Sequence, residues 1–233
     1  MEPLKVIITF ASPVFVDSEY PIYLDALAAF GVMKDAESLG SENSWKDADD
    51  LSSFLDRTDG DEWVWKASRL VFTPASGIMF QNMIRKSDPD RYFRDLGEYW
   101  TGRGISEDKP MGNIKPDTFR IKTGSGQQRG YQWLSASQWM EKAEAWAIGD
   151  REALEYYLLR LSHVGKIGRN GYGLIRSLSI EPASQSETEN WRLRALPISE
   201  PGAPGIQYEH VQTCIRAPYW KKLERVVAKE PVV

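Results

Sequence analysis

The sequence predicts an α+β fold built as one domain, and three patterns in its 233 residues support this. Apolar residues alternate with more polar ones near the N-terminus, recur at helical spacing between positions 150 and 161, and alternate again between 174 and 180. With 42% apolar and 27% charged residues, the composition is that of a globular domain. No apolar run approaches the ~20 residues that a membrane-spanning helix needs, so we expect a cytoplasmic protein with no membrane partner.

The first predicted elements are a strand and a helix. The strand pattern has one buried face and is formed by Leu4, Val6, Ile8 and Phe10. A helix is expected from about Pro21, with Asp17 or Ser18 as its N-cap. The apolar side of this helix comprises Tyr23, Leu24, Leu27, Ala28 and Gly31.

The middle of the chain predicts a strand, a long loop and a hairpin. Residues 63–72 are rich in aromatic and β-branched residues, as strands are. Residues 85–116 contain many glycines and prolines and are expected to form mainly loop. Alternation on either side of a glycine-containing stretch predicts a hairpin over 117–134 with a flexible, basic tip.

The second half of the chain predicts two helices and a strand. Ser135 and Gln138 have the spacing of a capping box. The helix that they predict would carry Trp139, Ala143 and Trp146 on one face. A second helix is predicted to begin at Asp150 and to end before Gly165, with an apolar stripe of Leu154, Tyr157, Leu158 and Leu161. Residues 174–180 alternate as a strand, 191–196 fit one more strand, and the residues after 205 receive no assignment.

Charge is distributed unevenly along the chain, although the net charge is only -4. Residues 1–62 hold 14 acidic and 4 basic residues, whereas residues 63–233 hold 19 acidic and 25 basic residues. The larger part is therefore basic and permits a polyanionic partner. The acidic stretch of about 35–62 is expected to be either a solvated loop or a docking surface for a basic partner.

Metal sites and cofactors are not expected. An EF-hand loop in the acidic stretch would place Leu55, Arg57 and Lys66 at ligand positions, and these side chains do not bind calcium. The single cysteine, Cys214, excludes an internal disulfide. The two histidines, His163 and His210, are too few and too far apart for a zinc site.

The densest functional signal is a glycine loop between the second predicted helix and the strand that follows it. It contains four glycines, a lysine and an arginine over residues 165–173. Glycines allow main-chain amides to approach an anion, and the two cations supply charge, so the composition suits phosphate. The order of residues excludes a P-loop, and the helix–glycine–strand order excludes a dinucleotide-binding fingerprint. A tight turn without a ligand remains the alternative.

The predicted hairpin is a second, weaker candidate for nucleic-acid binding. It mixes cations, amides and aromatic side chains, a combination that suits the backbone and bases of a single strand. The residues concerned are Arg120, Lys122, Gln127, Gln128, Arg129, Tyr131 and Trp133. A solvated hairpin without a ligand is the other interpretation.

The sequence resembles a known family at three places. These are the opening strand with its Ala-Ser-Pro ending, the Pro-Ile-Tyr-Leu-Asp-Ala-Leu segment at 21–27, and the glycine loop that leads into Leu-Ile-Arg-Ser-Leu-Ser-Ile at 174–180. They are similar to the RAMP superfamily of CRISPR proteins. More narrowly, the chain resembles the third-named subunit of type IV CRISPR effector complexes, which is similar to the Cas-five family.

The resemblance implies a ferredoxin-like, RRM-type core of βαββαβ order within a single RAMP domain over 1–233. It also implies an acidic insert at about 35–62, a thumb-like hairpin at about 117–134 and a C-terminal extension at about 183–233. The implied function is non-catalytic binding and capping of the 5′ handle of the crRNA. The implied neighbours are the backbone and large subunits of the effector complex, and contact with DNA that flanks a target stays open.

The resemblance also assigns RNA-binding residues by position. In the glycine loop these are Gly165, Lys166, Gly168, Arg169, Gly171, Tyr172 and Gly173. In the hairpin they are Arg120, Lys122, Gln127, Gln128 and Arg129. The acidic insert should point away from the RNA, because negative side chains repel phosphates.

Two other functions remain open from the sequence. The first is a RAMP endoribonuclease that processes repeat RNA, with His163 as the one histidine near the glycine loop and Lys166 and Arg169 as charge stabilisers. The second is an acidic protein-interaction module in which RNA contact is incidental.

Overall fold

The computed structural model describes residues 1–15, 21–85, 130–217, 219 and 222–232. The chain divides into two compact units, one formed by Met1–Met79 with Ala136–Val233 and the other by Phe80–Ser135. No helix among the described residues is both long enough and apolar enough to cross a membrane.

The described residues form antiparallel sheets with few helices, which confirms the α+β class. The helices are α1 (Leu24–Ser38), α2 (Ser44–Asp47) and α3 (Arg151–Leu158). The strands are β1 (Glu2–Phe10), β2 (Val14–Phe15), β3 (Val71–Pro74), β4 (Met79–Arg85), β5 (Tyr131–Gln138), β6 (Met140–Gly149), β7 (Ile175–Pro182), β8 (Leu196–Pro197), β9 (Tyr208–Thr213) and β10 (Val226–Pro231).

The main sheet lies in the first unit and has the strand order β3-β6-β1-β7, with every neighbouring pair antiparallel. The predicted alternation in β1 is confirmed, because one face is buried in the core while the opposite face is only partly buried. The buried face of β1 consists of Leu4, Val6, Ile8 and Phe10. The opposite face of β1 includes Lys5, which pairs in the sheet register with Trp146 of β6 and Glu181 of β7.

Helices α1 and α3 pack against each other and cover the core side of the main sheet. Leu24, Leu27 and Leu154 are buried there together with the inward side chains of β1. Helix α3 begins as predicted, since Asp150 is its N-cap and its Oδ1 accepts a hydrogen bond from the main-chain N–H of Ala153 at 2.9 Å. The predicted cap of α1 is wrong, because the helix begins after Tyr23, too far along the chain for Asp17 or Ser18 to cap it.

The helix predicted after Ser135 is wrong. Residues 131–138 form β5, and residues 140–149 form β6, which lies between β1 and β3 in the main sheet. The core-facing positions of β6 are small and follow a period of two: Ala143, Ala145 and Ala147. Hydrogen bonds to β1 on one edge and to β3 on the other hold β6 as a strand, even though alanine favours helices in isolation.

Two further strand predictions hold only in part. Residues 63–70 form isolated bridges, such as Trp65 with Arg57 and Ala67 with Ala147, and the continuous strand β3 begins only at Val71. Most of 191–196 is not strand, because a 3-10 turn occupies Asn190–Arg192 and β8 begins at Leu196. The strand predicted at 174–180 is confirmed as β7.

The C-terminal part forms a second sheet of order β8-β10-β9, which the sequence left unassigned. Residues on either side of β8 pack on the outer face of the main sheet, where Leu193 and Ala203 cover Trp146. One end of that face is therefore covered by the chain itself.

The buried side chain of Arg194 connects this C-terminal part to α1. Its guanidinium donates to the carbonyl oxygens of Trp65, at 2.6 Å, and Ile215, at 2.8 Å. It also donates to the hydroxyl of Tyr219 at 2.7 Å, and that hydroxyl donates to Asp25 Oδ2 at 2.6 Å. Burial raises the pKa of Tyr219 well above its usual 10.0, which keeps the phenol protonated as a donor.

Candidate nucleic-acid interface

The glycine loop lies where the sequence predicts it, between the end of α3 and the start of β7. Leu161 and Val164 are buried just before it. The first residue of the loop, Gly165, lies over the side chains of Val14 and Ile22. The loop therefore has a fixed base on the core while its middle faces solvent.

Main-chain hydrogen bonds anchor the end of the loop. Val164 N–H donates to the carbonyl of Gly173 at 2.8 Å, and Gly173 N–H donates to the carbonyl of Pro13 at 2.8 Å. Leu174 N–H donates to the Ser12 hydroxyl, also at 2.8 Å. These bonds join the loop to the turn between β1 and β2, so its two ends cannot move independently of the sheet.

Three glycines of the loop have backbone conformations that other residues rarely adopt. The φ angles are 88° at Gly165, 85° at Gly171 and 65° at Gly173. At Gly173 a side chain would also collide with the carbonyl oxygen of Val164. The turn alone therefore requires these glycines, whether or not a ligand binds.

Ile167 is the exception among the residues with positive φ. Its φ is 61°, although β-branched residues strongly disfavour the left-handed region. A strained, non-glycine residue in a well-anchored loop is a feature that clusters at functional sites.

The exposed part of the loop carries unused hydrogen-bond donors. Within the described residues, the main-chain N–H groups of Gly165, Gly168 and Arg169 have no hydrogen-bond partner. The N–H groups of Asn170 and Gly171 close the 3-10 turn instead, donating to Ile167 and Gly168. In the part of the chain that the structure describes, the N–H donors without a partner therefore lie at Gly165, Gly168 and Arg169, whereas the end of the loop is bonded internally.

The cations and the tyrosine of the loop differ in their surroundings. Lys166 and Arg169 are both exposed, and in the described part of the chain the Arg169 guanidinium makes no ion pair. The ring of Tyr172 is half-buried and packs on Phe15, with 4.5 Å between ring centroids. Tyr172 therefore supports the loop from below, whereas Arg169 is available to an anion.

His163 packs beneath the loop. Its Nδ1 lies 2.8 Å from the hydroxyl of Ser162, and a Cβ on Gly168 would lie only 3.0 Å from the Cβ of His163. The imidazole is partly buried and supports the main chain of the 3-10 turn.

The hairpin half of the predicted site lies outside the described residues. This applies to Arg120, Lys122, Gln127, Gln128 and Arg129, and also to the first arm of the hairpin. The second arm is the beginning of β5, where Trp133 is partly exposed.

An ion-pair cluster on the outer face of the main sheet was missed by the sequence reasoning. Lys5 Nζ lies 2.8 Å from Glu187 and 3.1 Å from Glu144, and Lys142 lies 3.0 Å from Glu144. The hydrogen bond from Lys5 lowers the pKa of Glu187 to about 2. The polar positions of β1 indicate this face, but nothing in the sequence pairs Lys5 with a residue so far along the chain.

The outer face is therefore not a basic platform at this end of the sheet. Its lysines are neutralised by carboxylates, which favours the glycine loop as the anion-binding surface of the first unit. The described residues contain no group of three or more side chains that could hold a metal ion.

The comparisons with known proteins give one family. The family model described as CRISPR type IV associated protein Csf3 matches residues 2–231. No curated protein matches the chain.

Proposed function

The chain belongs to the Csf3 family of CRISPR type IV associated proteins, and from this premise we propose that it is a non-catalytic subunit that caps the crRNA 5′ handle. Family membership indicates that it acts with other subunits of a type IV CRISPR complex. We expect its neighbours to be the backbone and large subunits of a cytoplasmic ribonucleoprotein.

The proposal includes a ferredoxin-like RAMP core. The elements β1, α1, β3, β6, α3 and β7 follow one another in the order βαββαβ. In that series the fourth strand lies beside the first, the first beside the third, and the third beside the second. This arrangement supports the proposed core, with the acidic stretch as an insert between α1 and β3 and the residues after β7 as an extension.

The observation that carries the RNA-binding proposal is the exposed start of the glycine loop. Among the residues that the structure describes, the N–H groups of Gly165, Gly168 and Arg169 have no hydrogen-bond partner, and the Arg169 guanidinium makes no ion pair. Main-chain donors beside a cation suit a phosphate oxygen. The strained Ile167 within the same stretch supports a binding role over a plain turn.

The test is the salt dependence of guide-RNA binding by the assembled complex. Each phosphate neutralised on a single strand contributes roughly -0.7 to the slope of log affinity against log salt. We expect Arg169→Ala to reduce the magnitude of the slope by about that amount. Arg151→Ala is the matched control, because Arg151 is an exposed arginine on α3 outside the loop.

Two results would contradict the proposal. Equal slopes for Arg169→Ala and the unaltered complex would remove the loop from the RNA contact. Metal-free cleavage of repeat RNA that is lost in His163→Ala would make the protein an endoribonuclease. We expect no such cleavage, since His163 supports the main chain of Gly168 from below.

A further inference from the structure

A row of polar side chains crosses the outer face of the main sheet at the end where β1 finishes. The sheet register places Thr9 of β1 between Lys142 of β6 and Ser177 of β7. The hydroxyls of Thr9 and Ser177 lie 2.6 Å apart and form a hydrogen bond across the two strands. Lys142 is paired with Glu144, so the positive charge of this lysine is already neutralised. The row therefore ends at β7 in an uncharged pair of hydroxyls.

The hydroxyl pair retains both donor and acceptor capacity. A hydroxyl carries one donor and two acceptor positions. The bond between Thr9 and Ser177 uses one donor and one acceptor, which leaves one O–H group and three lone pairs. Ser177 is exposed, Thr9 is partly exposed, and within the described ranges neither hydroxyl makes another hydrogen bond. The pair can therefore donate to a ligand and accept from it at the same time.

Arg176 interrupts the register of β7 beside this pair. Thr9 pairs with Ser177 and Phe10 pairs with Ile175, so Arg176 is left without a partner in β1, as is the extra residue of a β-bulge. The Arg176 side chain is exposed, and among the described residues it makes no ion pair or hydrogen bond. Bulges are over-represented next to functional sites, where they re-aim a side chain. A cation without a carboxylate partner therefore directly precedes the hydroxyl of Ser177.

The same end of β1 anchors the glycine loop. Ala11 N–H donates to the carbonyl of Leu174 at 2.8 Å, and Leu174 N–H donates to the Ser12 hydroxyl at 2.8 Å. Leu174 directly follows the loop, and at about 3.3 Å per residue Ser177 lies roughly 10 Å further along the chain. An RNA strand bound at the loop therefore has only a short distance to extend before it reaches the hydroxyl pair.

The chemistry of these side chains favours a ribose and its phosphate. Arg176 supplies a positive charge for the phosphate, and the 2′-OH of ribose is both a donor and an acceptor, as the hydroxyl pair is. DNA lacks the 2′-OH and would leave the pair unmatched. The centre of a protein interface is apolar, whereas the exposed residues of β7 up to Ser179 are Arg176, Ser177 and Ser179 itself.

We propose that Thr9, Ser177 and Arg176 form a ribose–phosphate subsite through which the protein distinguishes RNA from DNA. The hydroxyl pair contacts a 2′-OH, and the guanidinium contacts an adjoining phosphate. This inference rests on the proposed binding of guide RNA and adds the choice of sugar to it. Phosphate contacts at the glycine loop carry no such choice, because RNA and DNA share the phosphate.

The test is a 2′-deoxy scan of the guide RNA in the assembled complex. Guides that carry a single 2′-deoxynucleotide at successive positions of the 5′ handle compete with the all-ribose guide for the complex. We expect at least one position at which the deoxy substitution lowers the affinity about fivefold, as the loss of one hydrogen bond does. In a complex with Thr9→Val and Ser177→Ala together, the deoxy and ribose guides should bind equally at that position.

Arg176→Ala separates the phosphate contact from the sugar contact. It should reduce the magnitude of the slope of log affinity against log salt by roughly 0.7 and leave the deoxy effect in place. Arg151→Ala is the matched charge control, and Thr213→Val is the matched hydroxyl control, because Thr213 is a partly exposed threonine of β9 in the other sheet. A slope for Arg176→Ala equal to that of the unaltered complex would remove the guanidinium from the subsite.

Three further outcomes would overturn the proposal. A handle without any deoxy-sensitive position would mean that no ribose is recognised. An unchanged deoxy effect in the double variant would exclude the hydroxyl pair from the sugar contact. Loss of a neighbouring subunit from the double-variant complex, with the deoxy effect retained, would make the row a protein contact. In each case a reduced salt slope for Arg169→Ala would still support RNA binding by the glycine loop, so the two proposals fail separately.

Discussion

The main-chain N–H of Gly173 donates to the carbonyl oxygen of Pro13 at 2.8 Å, and this bond ties the end of the glycine loop to the turn after β1. Gly173 also lies directly against the carbonyl of Val164. The two contacts fix where the exposed start of the loop stands relative to the main sheet. The precision of the candidate site therefore depends on a glycine that is itself buried.

Replacing Gly173 should be far more costly than replacing Gly171. Gly173→Ala combines a collision with Val164 and a positive φ, so we expect a loss of about 3 kcal/mol in the free energy of unfolding. Gly171 also has a positive φ but open space around it, and Gly171→Ala should cost about 1 kcal/mol. Urea denaturation measures both, and equal losses would contradict the close approach.

The Lys5–Glu187 pair should make stability depend on acid pH. The hydrogen bond from Lys5 lowers the pKa of Glu187 from 4.5 to about 2, so the pair stabilises the fold above pH 4.5. This contribution is lost as the pH falls from 4.5 toward 2. We expect Glu187→Gln to cost about 1 kcal/mol at pH 7, because the pair is partly exposed and screened.

At pH 2 the unfolding free energies of Glu187→Gln and the unaltered protein should nearly converge, since Glu187 is then protonated in the unfolded state and about half protonated in the folded state, so that most of the ion-pair contribution is lost. Glu141→Gln changes an exposed glutamate of β6 and should alter the unfolding free energy little at pH 7. No convergence with the unaltered protein is therefore expected on going to pH 2. A constant gap between pH 7 and pH 2 for Glu187→Gln would rule out the ion pair as its cause.

Arg194 should be among the most sensitive positions in the first unit. Arg194→Met leaves the buried carboxylate of Asp25 without its cationic partner, and removing one partner of a buried pair costs about 3–5 kcal/mol. The measurement is chemical denaturation. Arg160→Met removes an exposed arginine paired with Asp35 and should change stability little.

The double variant Asp25→Asn with Arg194→Met provides the check on the mechanism. Because neither charge is then left alone, it should lose less stability than the sum of the two single variants. Strict additivity would mean that Arg194 acts only through its bonds to main-chain carbonyls.

Local signals in the sequence were sufficient for the elements with a strong period. Strand β1 alternates over its full length, and α3 has both an Asp150 cap and an apolar stripe, so each could be predicted without tertiary information. The glycine loop was located for the same reason, since its glycines and cations are contiguous in sequence.

The missed elements depend on contacts that are distant in sequence. Trp139, just before β6, and Ala143 and Trp146 within it have the spacing of a helical face, and only pairing with β1 and β3 makes the segment a strand. Arg194 is bonded to carbonyls of residues 65, 67 and 215, and no sequence pattern encodes such partners.

The Arg194 network also has a consequence for biosynthesis. The carboxylate of Asp25 finds its partners 169 and 194 positions later, at Arg194 and Tyr219. During synthesis on the ribosome, Asp25 in the first turn of α1 therefore stays hydrated until nearly the whole polypeptide has emerged. Nascent chains arrested before residue 194 should accordingly remain protease-sensitive at this helix, and the final docking of the C-terminal part is the step that completes the N-terminal half.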